Sequence, residues 1–367
     1  MANSLFIGLM SGTSMDGVDA VLAAFHGSQW QGARAHAFVP YSGSLKAELL
    51  ALQDSHADEL HRSALLAQQL AKLNAQAVAA VLAQAHTDAA QIAAIGCHGQ
   101  TIRHAPQHGY SLQLMDYALL AELSGITTVG DFRSRDLAAG GQGAPLTPAF
   151  HQAVFAHPQH SRVVLNLGGI ANISVLPHSG AAFGFDTGPA NMLMDAWVQQ
   201  HWQQPYDADG RLAAQGQVLP DLLQQLLAHA YFRQPYPKST GRDLFSLAWL
   251  HDYLNGNEAP ADVLRTLLAL TAHSVVDAIA AAAPDAGDIY ACGGGTANAL
   301  LMQQLADLLA EHHTRLHTTA ALQLPPQQVE AAAFAWLAAC WQHRTPVAVH
   351  HATGATGARI LGAGYWA

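Results

Sequence analysis

The chain has 367 residues, half of them hydrophobic and only 11% charged, with a formal net charge of −10. That length exceeds one ordinary core, so two domains or lobes are expected. The acidic balance, with no dense Lys/Arg block, argues against nucleic-acid binding. Cys97, Cys292 and Cys340 are odd in number and far apart, with no CxxC spacing, so neither a disulfide framework nor a zinc site is indicated. The N-terminus shows no signal-like apolar stretch, and no uninterrupted run reaches membrane-spanning length. The expectation is a cytoplasmic protein with no membrane association.

Residues 5–9 (Leu-Phe-Ile-Gly-Leu) and 18–25 read as buried strands around a loop of small and polar residues. That loop is Ser11-Gly12-Thr13-Ser14-Met15-Asp16-Gly17, and Val18-Asp19 follows it. Glycine lets backbone N–H groups approach an anion, and hydroxyls add donors. Asp16 and Asp19 would repel phosphate but suit a Mg²⁺ ion that neutralises it. Gly12 and Gly17 have P-loop spacing, yet Val18-Asp19 stands where Lys and Ser/Thr are required. A strand rather than a helix follows, against a dinucleotide fingerprint. The reading is a strand–loop–strand phosphate hairpin, with an ordinary tight hairpin as the alternative.

Residues 29–41 supply a third antiparallel strand, and 46–52 and 58–85 are helical. In the second helix Leu65, Leu66, Leu70, Leu73 and Ala77 recur at helical spacing. A short strand at 93–97 ends at His98-Gly99-Gln100-Thr101, and another follows at 111–114. A helix over 117–123 stops at Gly125. A strand at 127–129 ends at Asp131-Phe132-Arg133-Ser134-Arg135-Asp136. Residues 138–148 form a Gly/Pro-rich crossover, the expected hinge.

A second copy of the opening then begins. A strand at 161–169 runs into Gly168-Gly169, a return strand covers 173–176, and Phe185-Asp186-Thr187-Gly188-Pro189 ends the third strand. Helices follow at 192–203 and 262–283. The strand 288–292 ends at Gly293-Gly294-Gly295, and helices cover 299–312 and 329–343. Strands alternating with helices give an α/β class. The repeat divides the chain at 1–145 and 146–367, with the last segment free to cross back, and a duplication of this kind places ligands in a central cleft.

Asp186, beside glycine and just before a helix, can serve as general base or metal ligand, and the helix start would favour anions. Its alternative is a simple helix cap. Arg133 and Arg135 can pair with a carboxylate on a sugar, or form a structural ion-pair network. His98, Gln100 and Thr101 offer hydroxyl-binding groups, although a buried His98 is as readily structural. The glycines at 293–295 suit a close approach to a flat ligand or a tight turn. Lys238 belongs to a polar loop that either reaches ligand or is solvated. Glu330 opens an Ala-rich helix, where the dipole favours an acid. The adjacent pairs His312-His313 and His350-His351, with His157 and His160, lack metal-ligand spacing.

The segments Gly8-Leu-Met-Ser-Gly-Thr-Ser-Met-Asp-Gly-Val-Asp19, His98-Gly-Gln-Thr101, Asp131-Phe-Arg133, Ala139-Gly-Gly-Gln-Gly-Ala-Pro145, Leu165-Asn-Leu-Gly-Gly-Ile-Ala-Asn172, Phe185-Asp-Thr-Gly-Pro189, Lys238-Ser-Thr-Gly-Arg242 and Cys292-Gly-Gly-Gly295 resemble, in order, those of the anhydro-N-acetylmuramic acid kinase family. The resemblance implies a two-lobed actin/hexokinase-like (RNase H-like) fold. It implies that ATP, water and 1,6-anhydro-N-acetylmuramic acid give N-acetylmuramic acid 6-phosphate and ADP, in peptidoglycan recycling. By the same resemblance Asp186 is the base for water and Glu330 helps hold water and sugar. Gly12, Thr13, Ser14, Met15, Asp16, Gly17, Val18, Asp19, Gly168 and Gly169 then serve the phosphates. Gly293, Gly294 and Gly295 lie near the nucleotide, and Asp16 approaches Mg²⁺. His98, Gln100, Thr101, Arg133 and Arg135 contact the sugar or its lactyl carboxylate. The sequence leaves the oligomeric state open, a homodimer included. Two other readings are an actin- or Hsp70-like ATPase binding module and a superfamily kinase for another sugar.

Overall fold

The structure is a computed structural model that describes residues 3–12, 14–54, 57–241 and 244–367. The chain begins β1 (Ser4–Met10), β2 (Gly17–His26), β3 (Gln29–Pro40), α1 (Gly43–Ala51), α2 (Glu59–Ala85), β4 (Ile92–Cys97), β5 (Gln100–Ala105), β6 (Tyr110–Leu114), α3 (Tyr117–Ser124), β7 (Thr128–Gly130), α4 (Ser134–Leu137) and α5 (Thr147–Phe155). It continues β8 (Arg162–Leu167), β9 (Ile170–Leu176), β10 (Phe183–Pro189), α6 (Asn191–Trp202), α7 (Pro220–Leu227), α8 (Leu247–His251), α9 (Pro260–Ala282), β11 (Asp288–Cys292), α10 (Ala299–Glu311), β12 (Arg315–Thr318), α11 (Val329–Gln342), α12 (His350–Thr353) and β13 (Ala363–Tyr365). Two compact units result: Met1–Val154 with Gln328–Ala367, and Phe155–Gln327.

The sheet of the first unit has the order β13-β7-β4-β1-β2-β3, and that of the second has β10-β9-β8-β11-β12. In the first, β1, β2 and β3 form an antiparallel meander, β4 adds parallel to β1, and β7 adds parallel to β4. In the second, β8, β9 and β10 repeat the meander, β11 adds parallel to β8, and β12 parallel to β11. These five strands match in order and sense; the first sheet carries a sixth, β13, antiparallel to β7 at its edge. The fold is a duplicated mixed-sheet α/β arrangement.

In the first unit, Ile7, Leu9, Val18, Ala20 and Leu22 pack with Ala71, Ala77, Val78 and Val81 of α2. The opposite face of the sheet meets α11. A Cβ on Gly8 would lie 1.8 Å from the Ala331 carbonyl oxygen, and one on Gly96 would lie 2.0 Å from that of Phe334. Helix backbone therefore rests directly on β1 and β4, which only glycine permits. Burial on both faces explains why β1 reads as a continuous apolar run.

Helix α2 keeps Leu66, Leu70 and Ala77 buried, but Leu65 is 47% exposed. Ala67, Ala71 and Val78 complete the inward face instead. Gly125, in a left-handed conformation at φ +65°, ends α3 as expected. The sequence reading found β6 but not its partner β5, whose polar residues hide a half-exposed strand; Arg103 there pairs with Glu59. The expected hinge is instead tied down within the first unit. Gly143 N–H donates to Asp136 Oδ2 at 2.8 Å, Thr353 Oγ1 donates to Asp136 Oδ1 at 2.8 Å, and Gln142 N–H donates to the Thr353 carbonyl at 2.9 Å.

The core of the second unit joins Val163, Leu165, Leu167 and Ile173 to Val263, Leu267, Leu270 and Val275 of α9. By length and composition α9 could cross a membrane, but 72% of its most apolar window is buried inside the structure.

Candidate active site

The first hairpin loop is fixed from both ends. Met15, at φ +51°, buries its side chain completely among Leu45, Leu49, Leu66 and Leu70, and its N–H donates to the Gly12 carbonyl at 3.3 Å. Val18 is likewise wholly buried, so both residues have only backbone groups to offer a ligand. Ser14 and Asp16 are exposed, and Ser14 Oγ donates to Asp16 Oδ1 at 2.8 Å. Asp19 pairs with His36 Nε2 at 2.7 Å. Gly12 faces open space, where an added Cβ would meet only Ser14 Oγ at 3.8 Å; at Gly17 it would strike Phe38 and the Val39 carbonyl at 2.5 Å. Gly12 is thus free for close approach by a ligand, whereas Gly17 is required by packing. Thr13 lies outside the described residues.

Gln100 reaches this loop from β5. Ser11 Oγ donates to Gln100 Oε1 at 2.6 Å, and Gln100 Nε2 donates to the Gly12 carbonyl at 3.3 Å. Its neighbour Thr101 accepts from Gln113 Nε2 at 3.2 Å. At the end of β4, His98 N–H donates to the Leu9 carbonyl at 3.0 Å, and the ring packs on Phe334 with centroids 4.8 Å apart.

Arg133 Nη2 donates to His98 Nε2 at 2.9 Å, and its Nη1 to the Gly143 carbonyl at 2.7 Å. Arginine can only donate, so His98 Nε2 is the acceptor of a neutral ring. Burial, and then the Arg133 charge, push the His98 imidazole down to about 3. Burial also lowers the Arg133 guanidinium to about 10, while nearby Glu330 and, more weakly, Tyr117 and Asp136 favour its charge. It stays cationic at neutral pH. Its Nε–H is buried with no partner among the described residues. Arg135 is exposed on α4, outside this contact.

In the second unit Asp186 lies within β10, not at a strand end, at a register shift against β9. It does not cap α6: Ala190 holds that position without a side-chain bond. Asp186 Oδ2 accepts from Thr240 N–H at 3.0 Å, and its backbone carbonyl accepts from Tyr231 Oη at 2.7 Å. Burial pushes the carboxyl up to about 6, against the Thr240 N–H and the Lys238 ammonium, which favour its charge. Lys238 is no solvated side chain, since Nζ donates to the Tyr231 carbonyl at 3.1 Å and lies 4.6 Å from that ring's centre.

The sequence reading left the start of α6 open to an anion. The structure fills it with the second hairpin turn. The N–H groups of Ala190 and Met192 donate to the Gly169 carbonyl at 3.0 and 3.1 Å, and that of Asn191 donates to Gly168 at 3.2 Å. The glycines after β11 divide by role. A Cβ on Gly293, at φ +85°, would lie 2.4 Å from Asn166 Oδ1, and one on Gly295 2.7 Å from Leu167 Cβ, whereas Gly294 has nothing within 4 Å.

Among the described residues, no three or more His, Cys, Asp and Glu side chains converge on a metal position. A Mg²⁺ ion carried mainly by phosphate oxygens and water needs only one or two carboxylates. The exposed Asp16, with Oδ1 oriented by Ser14, fits that demand. Sequence reasoning missed Tyr231 and Thr240. Both act on Asp186 through single hydrogen bonds across 45 and 54 residues of chain, a relation no local pattern carries.

The family model described as anhydro-N-acetylmuramic acid kinase matches residues 4–367. A curated relative of that name from Neisseria meningitidis serogroup B is 61% identical over 366 residues, covering 100% of both chains. Another, from Bordetella petrii, is 54% identical and covers 98% of this chain and 96% of its own. Among solved structures, the activator of the 2-hydroxyisocaproyl-CoA dehydratase from Clostridium difficile with bound ADPNP covers 94% of this chain and 97% of its own, at 10% identity and a TM-score of 0.46.

Proposed function

The chain belongs to the anhydro-N-acetylmuramic acid kinase family, and from that premise we propose that it uses ATP to phosphorylate O6 of 1,6-anhydro-N-acetylmuramic acid while water opens the anhydro ring. The products are N-acetylmuramic acid 6-phosphate and ADP. The place of the reaction is cytoplasmic recycling of cell-wall peptidoglycan.

The observation that carries this reading is the state of Asp186. Its carboxylate is oriented through one oxygen by the Thr240 N–H and has a proton affinity near neutrality. That suits a general base for water, ionised at working pH yet strong enough to accept a proton. Asp186 takes a proton from water as the water oxygen bonds to C1. The C1–O6 bond breaks with its electron pair on O6, O6 attacks the γ-phosphorus, and ADP departs. The proton on Asp186 is then lost to solvent. The leaving oxygen is captured by phosphorus, so no separate acid has to protonate it, unlike ordinary inverting glycoside hydrolysis. Positioning and charge stabilisation supply the rest.

Arg133 and Glu330 support the sugar side of the reading. The cation carries a buried N–H to spare for a carboxylate, and Glu330, close enough to favour the Arg133 charge, would help hold the water and the sugar. Asp16, with water and phosphate oxygens, would hold Mg²⁺, which supplies neutralisation of phosphate charge. Gly12 and Gly294 both have room for a ligand beside the backbone.

The test is turnover in ¹⁸O water with ATP and the anhydro-sugar. We expect ADP release that depends on the sugar, with the label at C1 of the product. Phosphorylated product that retains its anhydro ring would refute the mechanism. Asp186→Asn should abolish turnover and keep ATP binding; near-normal turnover would remove Asp186 as the base.

A further inference from the structure

We propose that Tyr231 and Lys238 are positioning residues that hold Asp186 with Oδ1 alone left to take the proton from water. The inference rests on the reading of Asp186 as base given above.

Among the described residues, Asp186 is held at every polar group but one. Its N–H donates to the Lys238 carbonyl at 3.2 Å, its carbonyl accepts from Tyr231 Oη at 2.7 Å, and Oδ2 accepts from Thr240 N–H at 3.0 Å. No described residue donates to Oδ1. Two of the three contacts come from the segment 238–240 and one from residue 231.

Lys238 joins these two segments. Its Nζ donates to the carbonyls of Tyr231 and Phe232 at 3.1 and 3.4 Å, and lies 4.6 Å from the Tyr231 ring centre and 5.9 Å from that of Phe185. An ammonium has three donors, and two are committed to backbone carbonyls. The aromatic faces add cation–π attraction. The side chain therefore closes a loop whose two ends both grip Asp186, and it is not deployed as a phosphate ligand.

Orientation matters because the base must meet a water aligned on C1. A misplacement of about 1 Å at such a group costs on the order of a hundredfold in rate. Without the Lys238 bonds, the 238–240 segment can drift and release Oδ2, leaving the carboxylate free to rotate. Without the Tyr231 hydroxyl, the backbone at the register shift in β10 loses its outer support.

The experiment compares Tyr231→Phe, Lys238→Met and Lys238→Arg with the wild type in steady-state kinetics, using ATP and the anhydro-sugar. We expect kcat to fall about ten- to a hundredfold in Tyr231→Phe and Lys238→Met, with KM for both substrates unchanged. Lys238→Arg should recover most of the loss, because a guanidinium can donate to the same carbonyls. The double variant Tyr231→Phe/Lys238→Met should be little worse than either single one, as expected for parts of one device. Wild-type kcat in Lys238→Met, or a raised KM for ATP at unchanged kcat, would overturn the proposal. If Lys238→Met does not fold, Tyr231→Phe, which removes one hydroxyl and keeps the ring, decides alone. Failure of the underlying reading looks different: the wild type ignores the anhydro-sugar, or Asp186→Asn remains active.

Discussion

The Asp186 carboxyl is pushed up to about 6 by burial, and the Thr240 N–H and Lys238 keep it from rising further. The sign of the resulting pH dependence follows directly. A base works only when ionised, so activity is full above that value and declines below it, about tenfold per pH unit. We expect the acid limb of the kcat/KM profile to have its midpoint near pH 6; a limb near pH 4 would mean that the working base is a solvated carboxylate. His98, pushed down to about 3, contributes no limb in this range. At this scale the sequence marked candidates for chemistry, since Asp186 stands out beside Gly188-Pro189 and Glu330 opens an alanine-rich helix. It did not show that His98 is spoken for by Arg133, or that one oxygen of Asp186 is engaged. Those facts depend on side chains that meet only after folding.

Glycines that resemble one another in sequence separate at the scale of elements. Gly96 lets α11 lie against β4, whereas Gly294 faces open space. Gly96→Ala should therefore cost about 1–3 kcal/mol by overpacking, read as a lower midpoint of urea unfolding. Gly294→Ala should leave that midpoint unchanged and raise KM for ATP. Unchanged kinetics in Gly294→Ala would remove this glycine from the nucleotide site. Strands β1, β2 and β3 and helices α2, α9 and α11 were legible because their apolar periodicity is long and uninterrupted. Strand β5 was not, because its residues are polar and its partner β6 is short. The start of α6 was misjudged for a related reason. A Gly-Pro step before a helix says nothing about the hairpin carbonyls of Gly168 and Gly169 that arrive from twenty residues upstream.

For the whole molecule, the legible feature was the repetition of a glycine-bearing hairpin followed by helix and parallel strand. The structure shows the repetition as five strands of matching order and sense in each unit, to which the first unit adds β13. What the repetition cannot reveal is which unit each later helix joins. The first unit needs Gln328–Ala367, whereas the second is the continuous segment Phe155–Gln327. We expect a fragment of residues 155–327 to unfold cooperatively on its own, and a chain stopped after residue 327 to leave the first unit unfolded by circular dichroism and proteolysis. A stable first unit in that truncated chain would refute the expectation. The close fit of α11 against Gly8 and Gly96 also bears on the order of events at the ribosome. The sheet of the first unit emerges early but must wait, one face uncovered, while the whole of the second unit is synthesised, roughly ten to thirty seconds at ordinary elongation rates. The half of the protein made first is thus the half completed last, and its exposed β1 and β4 are where a nascent-chain chaperone has most to protect.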